Sequence, residues 1–197
     1  RVRGLLSELG IVLPLKAATV RRQAAGALEA LPGWANTVVG DLLSELHRLD
    51  ERIAQYDKHI QAIARDDERA KQLMRLSGVG PTTATALLAM IGNGHEFRCG
   101  RQFAAWLGLT PGQYSSGGKT RLGRITKAGD AYLRTLLILG ARAVLAAAKS
   151  KADGLSRWAT ALEQRRGYWK AVVAIAAKNA RMCWAMLAKA EQFKLPA

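Results

Sequence analysis

One segment near the middle of the chain combines residue types that could do chemistry on a phosphate. It reads GQYSSGGKTRLGRITKAGDAYLR, from Gly112 to Arg134, and joins two serines and two adjacent glycines to five basic residues. A serine hydroxyl can bind a phosphate or, once a base activates it, attack one. Glycines let a backbone approach a ligand closely, and lysines and arginines neutralise phosphate charge. The segment therefore fits either a loop that only grips a nucleic-acid backbone or a loop whose serine breaks it.

The residue types leave these two chemistries open. The candidate nucleophiles are Ser115 and Ser116. The candidate phosphate-binding residues of the segment are Gly117, Gly118, Lys119, Arg121, Arg124, Lys127 and Arg134. The segment is not a Walker loop, because the GxxxxGK[ST] spacing is absent. The loop also holds no histidine or carboxylate to act as a general base, so the residues alone favour phosphate binding over attack.

Charge is unevenly distributed along the 197 residues, which carry a formal net charge of +15. Residues 1–70 contain 10 basic and 10 acidic residues, whereas residues 71–151 contain 12 basic and two acidic ones. A field this one-sided is typical of a protein that binds a polyanion, although a solvated basic face without a partner has the same composition. We therefore expect nucleic acid as the partner of the basic part.

Composition argues against several other classes of protein. Cys99 and Cys183 are the only cysteines and form no CxxC or Cys/His cluster, which disfavours a zinc site and fits reduced thiols in a cytosolic protein. We expect no membrane partner, since no apolar run reaches the roughly 18 residues that a membrane span needs. The opening residues RVRGLLSELG show no secretory signal and no initiator methionine, so we interpret the chain as part of a longer protein.

The most regular helical pattern that could position the loop lies between residues 42 and 63. Apolar residues recur there at alternating steps of four and three: Leu42, Leu46, Leu49, Ile53, Tyr56, Ile60 and Ile63. This heptad seam is typical of a coiled coil, and we expect a homo-oligomer that forms through Leu42–Ile63. The alternatives are an antiparallel helix of the same chain as its partner, or a single amphipathic helix that packs on its own domain.

A second pattern, LMRLSGVGPTTATALLAMIG over residues 73–92, has the form of a helix-hairpin-helix. We expect the first helix to end at Leu76 or Ser77 and Pro81 to open the second. Gly78 and Gly80 permit the tight turn and would expose backbone N–H groups to a DNA phosphate. Such hairpins also serve as packing elements, so this alternative stays open.

Helical patterns cover the rest of the chain, and no strand is predicted. Further helices are expected over residues 1–13, 17–30 and 101–107, and in three apolar segments that begin at Asp130, Gly154 and Trp169. The last segment is hydrophobic nearly all round, so it should be the central helix. The predicted fold class is all-α, with linker helices and a coiled-coil arm in residues 1–70 and a helical domain in residues 71–197.

Three segments together resemble a known family. They are LSGVGPTTATALLAMIG, GRQFAAWLGLTPGQYSSGGKTRLGRITKAGDAYLRTLLILGARAVL and SRWATALEQRRGYWKAVVAIAAKNARMCWAMLA. Their shared pattern is G-L-x-P, then S-[ST]-G-G-K, then a basic glycine-containing run and G-D-x-Y-L-R. The chain resembles the C-terminal half of Piv-like insertion-sequence transposases, which are associated with bridge-RNA-guided recombination, closely over residues 73–187 and more loosely over residues 1–70.

The resemblance implies a DNA transposase or recombinase with two domains. An N-terminal RuvC-like domain would hold magnesium on four acidic residues, and a C-terminal domain would supply a serine that forms a covalent link to DNA. The serine that matches the motif is Ser115, with Ser116 as the second choice. The acidic domain would lie upstream of Arg1, so we expect no cofactor and no activity in this part alone.

The resemblance also implies partners and a location. The implied partners are DNA and a structured guide RNA, and the implied location is the bacterial cytoplasm, in association with the nucleoid. Two other interpretations remain open. In one, the chain is a non-catalytic helix-hairpin-helix binding module; in the other, it is an assembly domain built on the coiled coil.

Overall fold

The computed structural model of the protein describes residues 2–189 and is mainly α-helical, which confirms the predicted fold class. The helices are α1 (Val2–Glu8), α2 (Ala17–Ala27), a short 3₁₀ helix (Leu28–Ala30), α3 (Gly33–Asp66), α4 (Glu68–Leu73), α5 (Pro81–Ile91), α6 (Gly100–Trp106), α7 (Ala131–Ala148), α8 (Gly154–Arg166) and α9 (Tyr168–Ala188). Two short strands, β1 (Pro111–Gln113) and β2 (Leu122–Ile125), lie between α6 and α7.

The chain divides into two compact units, Arg1–Lys58 and His59–Ala197. The division lies inside α3, and each unit has its own hydrophobic core. The functional boundary that charge and motifs place after residue 70 stays a prediction.

The first unit has a small core to which α1, α2 and α3 each contribute. Leu6, Ala24 and Val39 are buried there, and Leu46 packs partly against them. The first part of the heptad seam, at Leu46, thus packs against the core of its own unit. Further along α3, the side chain of Ile53 is 58% exposed.

Helix α1 ends earlier than predicted. We expected it to continue to residue 13 and to stop near Pro14, but its last residue is Glu8. Gly10 has a φ of +80°, and the Ile11 N–H donates to the Leu6 carbonyl at 2.8 Å. This is a Schellman-type cap, in which a glycine in the left-handed region ends the helix.

Helix α9 is the centre of the second unit, as predicted. It packs against α4, α6, α7 and α8. Its buried side chains include Val172, Ile175 and Cys183. Burial raises the pKa of the Cys183 thiol to about 12, whereas Cys99 is exposed, and both cysteines are free.

Helices α7 and α9 are also long and apolar enough to cross a membrane, by length and composition. Neither helix is an uninterrupted apolar run, because α7 contains Arg134 and Arg142 and α9 contains Lys170, Lys178 and Arg181. Buried residues make up 33% of the window in α7 and 56% of that in α9. Core helices of globular proteins pass the same test, because they too are long and apolar.

Candidate nucleic-acid interface

The segment with the two serines is a β-hairpin, which we call the serine hairpin (residues 111–125). Its strands pair antiparallel, with Pro111 opposite Ile125, and the Tyr114 N–H continues the ladder by donating to the Arg121 carbonyl at 2.8 Å. The prediction of no strand was wrong here. The strands contain glycine, serine and basic residues instead of the alternating apolar residues that indicate a strand.

Two glycines form the tip of the hairpin. The Lys119 N–H donates to the Ser116 carbonyl at 3.1 Å, and Gly117 and Gly118 between them have φ values of +56° and +75°. Positive φ at both central positions defines a type I′ turn, which matches the twist of paired strands. Other residues are strained at these angles, so the turn itself requires the glycines.

The Ser115 hydroxyl is exposed and is held by two N–H groups. Its Oγ accepts a hydrogen bond from the Gln113 side-chain Nε2 at 2.9 Å and one from the Arg121 backbone N–H at 3.0 Å. Ser115 neither caps a helix nor lies in a core. Because Oγ is an acceptor in both bonds, its own hydrogen remains available to a ligand or a base.

Ser116 has different surroundings, although it is also exposed. Its backbone forms part of the turn, and within residues 2–189 its hydroxyl makes no hydrogen bond. The two serines are therefore distinguishable: donors in the hairpin surround the Ser115 oxygen, whereas the Ser116 side chain lies open at the tip.

The hairpin carries exposed positive charge. Lys119, Arg121 and Arg124 are all exposed, and none of them forms an ion pair within the described part of the chain. The sequence contains no Asp or Glu between Phe97 and Gly129. The cations are thus available to an external anion, and this segment of the sequence contains no carboxylate that could pair with them.

Close backbone contacts fix the base of the hairpin. A Cβ at Gly108 would lie 2.4 Å from the Ala128 carbonyl oxygen, and one at Gly129 would lie 1.8 Å from that of Trp106. Only glycine fits such an approach. Lys127, which stands in this base, has a positive φ of 55°, an unusual conformation for a residue with a side chain.

Arg134, a predicted phosphate ligand, contacts the protein's own backbone. Its Nη1 donates to the carbonyl oxygens of Leu107 at 3.0 Å, Ala128 at 3.1 Å and Asp130 at 3.4 Å. One side chain on α7 thereby joins the segments that enter and leave the serine hairpin. Sequence reasoning missed this contact, because Leu107 lies 27 residues before Arg134 along the chain.

The turn between α4 and α5 has the expected residues, but its two glycines differ in how closely other atoms approach them. Pro81 is the first residue of α5, as predicted. A Cβ at Gly78 would lie 2.7 Å from the Gly140 carbonyl oxygen of α7, whereas one at Gly80 would meet nothing within 4 Å. The side chain of Asn179 donates to the Ser77 carbonyl at 2.9 Å and attaches the turn to α9. The close approach to α7 thus requires a glycine at position 78, whereas Gly80 has open space around it, and phosphate binding by either residue stays a prediction.

No metal centre is found in residues 2–189, where no three side chains of His, Cys, Asp or Glu lie together as a set of ligands. The resemblance implies magnesium in an acidic domain upstream of Arg1, and this stays a prediction.

Comparison with known proteins finds similarity between the region of this site and a family of transposases. Residues 70–156 match the sequence profile described as Transposase IS116/IS110/IS902 family. The match includes the serine hairpin and the turn before α5. This part of the chain is therefore similar to the transposase domain of that family. The matched region contains every residue that the sequence predicted for catalysis or nucleic-acid binding.

Three relatives illustrate how far the similarity extends. The chain is 46% identical to "Probable family 20 transposase" of Pseudomonas aeruginosa, over 95% of the chain and 57% of that protein. It is 39% identical to the transposase for insertion sequence element IS1111A of Coxiella burnetii, over 98% of the chain and 54% of the relative. It is 31% identical to the transposase for insertion sequence element IS1328 of Yersinia enterocolitica, over 98% of the chain and 58% of that relative. The chain therefore spans about half the length of the curated relatives it matches.

Proposed function

We propose that the chain is the part of a DNA transposase or recombinase in which the serine hairpin binds the DNA backbone and Ser115 attacks it. The observation that carries this proposal is the exposed Ser115 Oγ, at which two N–H groups point, on a hairpin with three exposed cations. Negative charge that develops on this oxygen would be stabilised by the same donors. Similarity to transposases supports a role in DNA rearrangement.

The proposed reaction is a transesterification at a DNA phosphate. The Ser115 Oγ forms a bond to phosphorus, the bond from phosphorus to one bridging oxygen breaks, and that oxygen leaves as the free hydroxyl end of the cut strand. The serine proton passes to a base, and the leaving oxygen takes up a proton. One phosphoester replaces another, so the reverse attack by a DNA hydroxyl can rejoin strands. In this proposal, Arg121 and Arg124 would stabilise charge on the phosphate.

The activating groups must come from elsewhere in the full-length protein. A serine hydroxyl is a weak nucleophile at neutral pH until a base or a metal activates it. The hairpin contains no histidine or carboxylate. We therefore expect this chain alone to cut nothing, and we place the magnesium-binding acidic domain in the part of the protein that this chain does not include.

Three further contacts complete the proposal. The open Gly80 side of the turn before α5 would contact a second phosphate, and a structured guide RNA would be a partner of the basic domain beside DNA. The exposed half of the heptad seam, at Leu49, Ile53 and Ile63, would contact a second copy of the chain. The family resemblance and the charge support the first two, and the exposed apolar stripe supports the third.

The nucleophile is tested by replacing one serine at a time in the full-length protein. Ser115→Ala should abolish strand exchange and the covalent protein–DNA adduct, because no other oxygen is held in the same position. DNA affinity should stay within about twofold, since the cations make the phosphate contacts. Adduct formation is measured on a radiolabelled DNA substrate under denaturing electrophoresis. Ser116→Ala is the matched control and should retain the adduct.

The outcomes separate this function from its alternative, a non-catalytic module for nucleic-acid binding and oligomerisation. The two hydrogen bonds that Ser115 makes inside the hairpin favour that alternative, because they give the side chain a structural task. If the adduct persists in Ser115→Ala and disappears in Ser116→Ala, the attacking serine is Ser116. If neither substitution changes the adduct, the hairpin only holds phosphate and the binding module is the correct function.

A further inference from the structure

A second surface of the basic unit carries exposed aromatic rings beside arginine. Tyr168 and Trp169 open α9, and their ring centroids lie 5.1 Å apart at an interplanar angle of 80°. The Arg142 Nε on α7 donates to the Tyr168 hydroxyl at 3.3 Å, and its guanidinium carbon lies 6.0 Å from the centroid of the Trp169 ring. We call these three residues the Trp169 platform.

The Trp169 ring is left largely uncovered. Its residue is 64% exposed, whereas Trp184 on the same helix is 7% exposed and donates its indole N–H to the Gly94 carbonyl. A large exposed aromatic ring gains little for folding and is common at binding surfaces. Tyr168 contacts the Trp169 ring in a T-shaped arrangement and the Arg142 guanidinium lies near the same ring, so two neighbouring side chains favour one orientation of it.

The charge around the platform is positive. Arg165, Arg166 and Lys170 lie next to the two aromatic residues in the sequence, on either side of the turn at Gly167. Helices α7 and α9 contain no Asp or Glu, and the nearest acidic residue in the sequence is Glu163. An apolar protein partner would have to desolvate these cations, whereas a polyanion would neutralise them.

We infer that the Trp169 platform stacks an unpaired base of a single-stranded nucleic acid, with Arg142 and the neighbouring cations on the flanking phosphates. Aromatic rings accept any base on their faces, and arginine adds cation–π and phosphate contacts. A base inside a duplex cannot reach the ring, so the platform should select unpaired segments. The ligand chemistry is common to displaced DNA strands and to RNA loops, which both offer unpaired bases and phosphates.

The inference rests on the proposed nucleic-acid function but concerns a different surface. Arg142 lies two turns beyond Arg134 on α7, about 12 Å along the helix axis. The serine hairpin would hold a DNA backbone at the site of attack, and the platform would hold a segment whose bases are open. The two contacts can therefore be removed independently.

The test compares matched tryptophan substitutions in the 197-residue chain. Binding of a labelled oligothymidine, an oligouridine of equal length and a duplex is measured by fluorescence anisotropy at fixed salt. Trp169→Ala should weaken single-strand binding by roughly 5-fold to 100-fold and leave duplex binding unchanged, because only an unpaired base can stack. Trp169→Phe should retain most of the affinity. Trp34→Ala is the control, since Trp34 is 67% exposed but lies in the unit without excess charge.

Each result either supports the inference or overturns it. A loss on oligothymidine, oligouridine or both supports it and identifies a DNA or RNA strand as the source of the base. Unchanged single-strand affinity in Trp169→Ala, or an equal loss in Trp34→Ala, overturns it. A smaller oligomer in light scattering with unchanged single-strand affinity would make the platform a protein contact, which also overturns it.

Failure of the platform is distinguishable from failure of the proposed function. Replacing Lys119, Arg121 and Arg124 by glutamine should weaken duplex binding if the hairpin contacts DNA. If the triple variant loses duplex affinity and Trp169→Ala keeps its single-strand affinity, the hairpin remains a binding site and only the platform inference is wrong. If the triple variant keeps its duplex affinity and Trp169→Ala loses single-strand affinity, the hairpin contact is wrong and the platform inference is supported.

Discussion

A single guanidinium holds the two ends of the serine hairpin together. Arg134 donates from one nitrogen to carbonyl oxygens on both sides of the hairpin, those of Leu107 and Ala128. Hydrogen bonds from a charged donor in a partly buried position are stronger than those between neutral groups. We infer that Arg134 acts as a positioning residue, which sets the direction in which the hairpin presents Ser115.

Removal of this guanidinium should loosen the hairpin base. Arg134→Met keeps the length of the side chain and loses its donors, so the free energy of unfolding should fall by about 1–3 kcal/mol. Hydrogen exchange of the Thr126 and Lys127 amides, which pair across the base, should become faster. Arg142→Met is the control, because it removes an exposed arginine from the same helix. Unchanged exchange at both amides in Arg134→Met would show that the glycine contacts suffice.

At the scale of elements, α3 provides a clear contrast between its two ends. Leu46 packs into the core of the first unit, whereas Ile53 and Ile63 are 58% and 59% exposed. An exposed apolar stripe with a heptad spacing is typical of a helix that awaits a partner helix. The predicted continuous helix over residues 42–63 is confirmed, and its oligomeric partner stays a prediction.

Charges placed on the stripe should dissociate the assembly. Ile53→Asp combined with Ile63→Asp would bury two carboxylates in a coiled-coil seam, which costs far more than leaving them in water. Both positions are exposed in the single chain, so its folding should be unaffected. Light scattering should show an oligomer for the unmodified chain and a monomer for the variant. Gln55→Asp with Gln61→Asp adds the same charge outside the seam and should preserve the oligomer; equal masses in all three proteins would contradict the prediction.

The helices could be predicted from sequence because their signals are local. The seam of α3, Pro81 at the start of α5 and the apolar length of α9 depend on residues close together in the chain. The hairpin was missed because its strands lack apolar alternation, although the Gly117–Gly118 pair was an available turn signal. The early end of α1 was also missed although a glycine signalled it, because Gly10 ends the helix before the chain reaches Pro14.

The candidate site was predictable in composition and not in arrangement. The serines and cations are visible in the sequence, because their residue types carry the chemistry. That the Ser115 oxygen accepts from Arg121 depends on the register of the hairpin. Two other features depend on contacts between segments that are distant in the chain, and no local sequence pattern indicates them. They are the hydrogen bonds of Arg134 to the base of the hairpin and the contact of Arg142 with Trp169.

At the scale of the whole molecule, the two structural units differ in net charge. The unit Arg1–Lys58 has 8 basic and 7 acidic residues, whereas the unit His59–Ala197 has 22 basic and 8 acidic ones. The exposed stripe proposed for assembly lies on α3, with Leu49 and Ile53 in the nearly neutral unit and Ile63 in the basic one. The serine hairpin, the turn before α5 and the Trp169 platform belong to other elements of the basic unit. Assembly and nucleic-acid binding are thus expected to depend on different elements of the chain.

This division predicts how affinity responds to salt. Each phosphate contact releases counterions, so the slope of log affinity against log salt falls by about 0.9 for every cation that is removed from a phosphate on duplex DNA. Replacing Lys119, Arg121 and Arg124 together by glutamine should therefore flatten the slope by up to about 3. Replacing Lys16, Arg22 and Lys58, which are exposed in the neutral unit, changes the net charge equally and should leave the slope unchanged. Titration of a labelled duplex at several salt concentrations gives both slopes. Equal flattening by the two triple variants would show that only the total charge attracts DNA, and an unchanged slope in the hairpin variant would place the phosphate contacts elsewhere on the basic unit.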